Sequence, residues 1–141
     1  MECLLRGRNV STEPATNQPP NDAVLISLVT LCNKFDIGVG ITLLVKGKIV
    51  TGITTSVKDF TEASAKNIES QNQGKTGDIF ATIYKKIGEA AVKNIEEDGH
   101  VPELIHLKDA SIHDGTAVHN VGWWRGKISS VDGHSLGIMT S

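Results

Sequence analysis

The chain has 141 residues, 39% of them hydrophobic, and a formal net charge of −2. That is enough apolar mass for one core of ordinary size. It lacks the positive excess by which nucleic-acid binders attract phosphates, and no apolar run approaches the roughly 20 residues of a membrane span.

Residues 1–21 read as a disordered tail. Ser11 to Pro20 is polar, Pro-rich and without period. Met1 to Arg8 holds two leucines but no longer apolar core, so it does not read as a secretory signal. The cytoplasm is the expected location. Two cysteines, Cys3 and Cys32, build no disulfide framework. Cys32 lies in an apolar segment and reads as a buried free thiol.

Residues 22–141 read as a single α+β domain. Asn21 or Asp22 caps a helix over Ala23 to Phe35, in which Val24, Leu28, Leu31 and Phe35 recur at three- and four-residue spacing. About half of its surface is apolar, so it should lie against a sheet. Val39, Ile41, Leu43 and Val45 alternate with Gly40, Thr42 and Leu44, the period of a strand. Lys46-Gly47 turns the chain into a second strand, Lys48 to Thr55, rich in β-branched residues.

Ser56-Val57-Lys58-Asp59 has capping-box spacing and predicts a helix from Val57 to Ser70, with Phe60, Ala63, Ser64 and Asn67 along one stripe. A polar break follows. Asp78 then caps a long helix from Ile79 to Glu97, with Ile79, Ile83, Ile87, Ala90, Ala91 and Ile95 as its apolar stripe. Asp98-Gly99 and Pro102 end it. A third strand spans Glu103 to Ile112. Ile105 and Leu107 are out of phase with Ala110 and Ile112, which predicts a bend near Asp109. Asp114-Gly115 and Asn120 to Gly122 bracket a loop. The last stretch reads as a hairpin, with Asp132-Gly133 as a two-residue type I′ turn that sets Val131 against His134. A bend at Gly126 would align its faces. Runs of strands and helices joined by hairpins argue for an antiparallel sheet.

No catalytic, cofactor-binding or metal site is expected from the residues. The five histidines, His100, His106, His113, His119 and His134, lack the spacing of a zinc motif. There is no Gly-x-Ser-x-Gly. Gly38-Val39-Gly40 precedes a strand instead of opening a helix, and Gly74-Lys75-Thr76 lacks the upstream Gly of a phosphate loop. The candidate interaction residues are Trp123, Trp124 and Arg125, types that dominate interface energies. Their competing role is internal: one Trp filling the core, the other covering a barrel end, and Arg125 holding Asp109 or Asp114.

Val45-Lys46-Gly47-Lys48-Ile49-Val50-Thr51-Gly52-Ile53 and the late Trp124-Arg125-Gly126-Lys127-Ile128 resemble the two motifs of Sm-like small barrels. That resemblance implies a strongly bent antiparallel sheet of about five strands, an N-terminal helix and, here, a two-helix insertion after strand 2. Gly47, Gly52, Gly126 and Gly133 are its expected structural glycines. RNA binding is the alternative function it implies.

A closer resemblance covers most of residues 22–141. The apolar helix, the Val45-Lys46-Gly47 hairpin, the helical middle, Leu104 to Ala110 and Trp124 to Gly137 are similar to the gas vesicle accessory protein U family. That resemblance implies a non-enzymatic, cytoplasmic protein without cofactors. It would assist gas vesicle assembly or organisation, and so buoyancy. Its expected partners are the vesicle shell, other gas vesicle accessory proteins or itself as an oligomer.

Overall fold

The computed structural model describes residues 22–97 and 99–139, and the expected tail over residues 1–21 lies outside them. The elements in chain order are α1 (Ala23–Phe35), β1 (Gly40–Val45), β2 (Lys48–Thr55), α2 (Val57–Gln71), α3 (Lys75–Ile95), β3 (Leu104–Asp114), β4 (Ala117–Lys127), a 3-10 turn (Ile128–Ser130) and β5 (Val131–Leu136). The five strands pair antiparallel in the order β4-β3-β2-β1-β5. This is the expected α+β arrangement, with two helices inserted after the second strand.

The short connections follow from local chemistry. Lys46 and Gly47 both take positive φ, 53° and 83°, as a type I′ turn between β1 and β2 requires. Between β3 and β4 only Gly115 does so, at 65°, the type II′ pattern. Asp22 caps α1: its Oδ1 accepts from the N–H groups of Val24 and Leu25 at 2.9 and 3.3 Å. Its Oδ2 lies 2.9 Å from His134 Nδ1, which ties the helix start to β5.

The expected turn at Asp132-Gly133 does not form. Val131 to Leu136 runs on as β5 along β1, with Gly133 opposite Leu44 and His134 opposite Leu43. Pairing with β1 leaves Asp132 at a register shift, and its Oδ2 accepts from Lys46 N at 3.0 Å, bracing the β1–β2 turn. β4 and β5, at odd positions of an all-antiparallel order, run in the same direction, and the chain passes between them without reversing through the 3-10 turn, where buried Ile128 donates its N–H to Glu103 O at 2.9 Å.

That turn constrains the sheet. β4 and β5 stand at opposite edges, which in a flat five-stranded sheet lie about 19 Å apart. A three-residue 3-10 turn rises only about 6 Å, so the sheet must curl. It does not close, because β4 and β5 are not paired. The expected small barrel is therefore an open, curled sheet: β5 gives its pairing edge to β1, not to β4.

One face holds the core. Leu25 and Val29 of α1 pack with Ile41, Leu43, Val50, Ile105, Leu107, Ala110 and Ile128. The bend expected at Asp109 is present, with φ 51° and a register shift between Leu107 and Ala110. It turns both of those residues inward. Asn120 to Gly122 belongs to β4, not to a loop. Gly122, at φ 78°, opposes Ala110 and supplies the matching irregularity. Gly52 lies at a register shift of β2, with β3 backbone packed against it. Gly126 carries no bend: the Trp124 indole occupies the space where its Cβ would project.

The helix faces differ from expectation. In α1 the buried residues are Leu25, Val29 and Cys32, while Val24, Leu31 and Phe35 are exposed. In α2 they are Val57, Phe60, Thr61 and Ala65. α3 starts at Lys75, not Ile79, because Gly74 at φ 85° lets the chain reverse directly out of α2. Its buried residues are Gly77, Ala81 and Gly88. Bulky apolar periodicity marks a helix, but the face that packs here is the one small enough to approach a neighbour.

Replacing Gly133 by Ala should therefore cost less than about 0.5 kcal/mol in urea unfolding, since its φ is ordinary and nothing lies within 4 Å of its Cβ position. Gly126→Ala should cost about 1–3 kcal/mol by displacing the indole. The reverse ranking would restore the hairpin turn at Asp132-Gly133.

Candidate functional site

A cleft of about 660 Å³ opens between the end of α1, the start of α2 and the end of α3, lined by Asn33, Asp36, Ser56, Lys58, Ile95, Glu96 and His100 among others. Its floor is a junction of two helix ends. Asn33 Oδ1 accepts from Val57 N at 3.0 Å. Ser56 Oγ donates to Asp36 Oδ1 at 2.9 Å and accepts from Asp59 N at 3.1 Å. Asp36 ends α1 in the left-handed conformation, φ 53°, a position Asp tolerates better than most residues. The hydrogen bond from Ser56, and next the one shared with Asp59, hold the Asp36 carboxyl below its ordinary range. Burial, and then Asp36 itself, push Asp59 above its own. In this pair Asp36 ionises first and opposes the ionisation of Asp59. Its role is to join α1 to α2.

Beside the cleft lies a smaller chamber, open to solvent, of about 240 Å³ that shares Asn33, Val57, Ile95, His100 and Pro102 with it. His106 and Arg125 line this chamber. They are directly opposed on β3 and β4 and so share one sheet face, the face opposite to that of Ile105 and Leu107. His106 is 3% exposed. Its ring centroid lies 4.7 Å from that of Phe60, and among the described residues neither ring nitrogen has a hydrogen-bond partner. An unpaired buried group of this kind costs about 1–3 kcal/mol. Burial first, and then the nearby Arg125 charge, lower its pKa to about 4, so it is neutral at pH 7.

The three expected interaction residues do not form one cluster. Alternation along β4 sends Trp123 and Arg125 to one face and Trp124 to the other. Trp124 packs against the core. Trp123 meets Phe60 edge-on at 6.1 Å and 72°. Arg125 is exposed and holds neither Asp109 nor Asp114: Lys48 Nζ takes Asp114 at 3.1 Å. The histidines are dispersed, and among the described residues no three His, Cys, Asp or Glu side chains gather as a metal set. Cys32 is buried and free, as expected, with Sγ 3.1 Å from Thr54 Oγ1.

His106 was hidden in the sequence. A residue between two core positions of a strand points away from that core. Only the cover of α2, set by tertiary packing, buries it.

The geometry defines a class: a small α+β protein on a curled antiparallel sheet, with polar groups that chiefly join its elements and a helical hairpin laid over one face. The family model described as Gas vesicle protein GvpU-like matches residues 22–139, and the chain belongs to that family. No curated protein and no solved structure matches it.

His106 makes stability depend on pH with a definite sign. The unfolded chain binds the proton near pH 6.5 and the folded chain only near pH 4. The stabilising contribution is thus complete above 6.5 and lost as pH falls to about 4, amounting to about 3 kcal/mol. In urea titrations His106→Leu should remove most of this loss between pH 7 and 4.5 while leaving stability at pH 7 equal or higher. An unchanged pH slope in that variant would refute the assignment.

Proposed function

We propose that this protein is a non-enzymatic accessory of gas vesicle assembly or organisation, cytoplasmic and vesicle-associated. It acts by protein–protein contacts with the vesicle shell, other gas vesicle accessory proteins or further copies of itself. The observation that carries this reading is the outer ridge of α3. Ile79, Phe80, Ile83 and Ile87 are 50, 51, 45 and 39% exposed. A ridge of adjacent large apolar side chains left in water is the mark of a contact surface, and an amphipathic helix presents such a ridge to a groove or to another helix. The outer residues of α1, Val24, Leu31 and Phe35, are bare in the same way.

Two further features support the reading. The family is one of gas vesicle proteins. Among the described residues the open sheet has two edges, β4 and β5, and an unpaired edge accepts a strand from a partner. The Trp123 and Trp124 rings, both half-buried, lie on the β4 edge strand and would border such a contact. For an Sm-like RNA binder the net charge of −2 supplies no attracting field. No helix among the described residues is long and apolar enough to cross a membrane.

The test is co-flotation. Wild-type protein should rise with floating vesicles from cells lacking the gene. Ile83→Lys, which alters the bare ridge and no buried residue, should lower the bound fraction about tenfold or more, as the loss of an interface hot spot does, with unchanged thermal stability. Flotation unaffected by Ile83→Lys would remove α3 from the contact. No co-flotation, together with normal vesicle number and grouping in a deletion strain, would overturn the function.

A further inference from the structure

From the chamber beside the cleft we infer that this protein binds a small aliphatic carboxylate, with Arg125 and His106 on the carboxylate and the α3 side of the chamber on the hydrocarbon. Three observations converge. The first is the pair itself. Arg125 lines the chamber, and among the described residues its guanidinium has neither an ion pair nor a side-chain hydrogen bond. A free guanidinium fork matches a carboxylate in two-point geometry. The second is His106, opposite Arg125 on the next strand, buried, with both ring nitrogens unpaired among the described residues. A neutral imidazole carries one N–H donor, and an anion between it and Arg125 would satisfy that donor. The third is the wall. Ile87, Ala91, Ile95 and Leu104 line the same space, which at about 240 Å³ has room for roughly eight water molecules. That is small for an elaborate ligand and ample for a branched acid of five carbons.

As the ring stands, its nitrogens are shielded from solvent. The Cβ–Cγ torsion of histidine is soft and two-fold. A half-turn exchanges each nitrogen with a ring carbon in the same volume, so the N–H can be re-aimed toward an entering anion without repacking. The other titratable groups lining the chamber are His100 and Glu103. Glu103 opposes a carboxylate and limits the affinity.

The experiment titrates isovalerate into the full chain. Binding is followed by the ¹⁵N resonances of the His106 ring and by calorimetry, with 3-methylbutan-1-ol and inorganic phosphate as separate probes. The expected result is a saturable shift of the His106 ring nitrogens by isovalerate. The neutral alcohol should give no such shift, and phosphate should bind at least tenfold more weakly. Arg125→Gln, at an exposed position, should weaken isovalerate at least tenfold without loss of thermal stability. His106→Leu should weaken it as well. No saturable shift, equal response to the alcohol, equal affinity for phosphate, or full affinity in Arg125→Gln would each overturn the inference.

Discussion

Thr61 Oγ1 of α2 occupies the place where any Cβ at position 88 of α3 would sit, and Asn72 O does the same at position 77. With Ala81 between them, these glycines let α3 lie on α2 closer than side chains would allow. Successive residues of a helix are rotated by about 100°, so fixing Gly77, Ala81 and Gly88 inward fixes every other position. Asp78, Lys85, Glu89 and Lys93 fall on one flank. Ile79 and Ile83 point away from α2, Phe80 and Ile87 lie on the opposite flank, and all four stay partly in water. The apolar ridge follows from how tightly two backbones can approach, and the functional reading depends on it.

A second constraint acts on the sheet. Three residues carry the chain from the end of β4 to the start of β5, and the sheet curls because they can reach no further. The curl, the Leu107–Ala110 bend and the anchoring of Ile128 make one concave core that α1 completes with Leu25 and Val29. The opposite face of β3 is left to α2, and His106 is buried there as a consequence. Two helices thus serve two faces: α1 fills the core, and α2 covers the far side while carrying α3 outward. The capped junction at Asn33, Asp36 and Ser56 holds the two in register.

Much of this was legible in the residues. Alternation gave β1 and β2, Lys46-Gly47 gave the turn between them, and Ser56 and Asp22, one of two candidate caps for α1, marked helix starts. The phase break in β3 correctly required a bend at Asp109. What failed did so for definable reasons. Asp132-Gly133 is a good turn pair, but an unpaired β1 edge competes for the strand, and long-range pairing won. Bulky apolar residues usually go to the core and so mark the expected helix faces, whereas α1 and α3 each pack an adjacent face. The candidate site divided likewise. Trp123, Trp124 and Arg125 are neighbours in sequence, yet alternation places Trp124 on the core and Arg125 across from a histidine that no local pattern singled out.

The central claim is the orientation of α3, and thiol accessibility tests it most directly. In a Cys3→Ser background, with Cys32 buried, single Ala81→Cys and Ile83→Cys variants should be treated with a maleimide under native conditions. The account predicts that the thiol at position 83 reacts at close to the rate of an exposed thiol, while that at position 81 is protected until the protein unfolds. Protection at 83 with rapid reaction at 81 would contradict it.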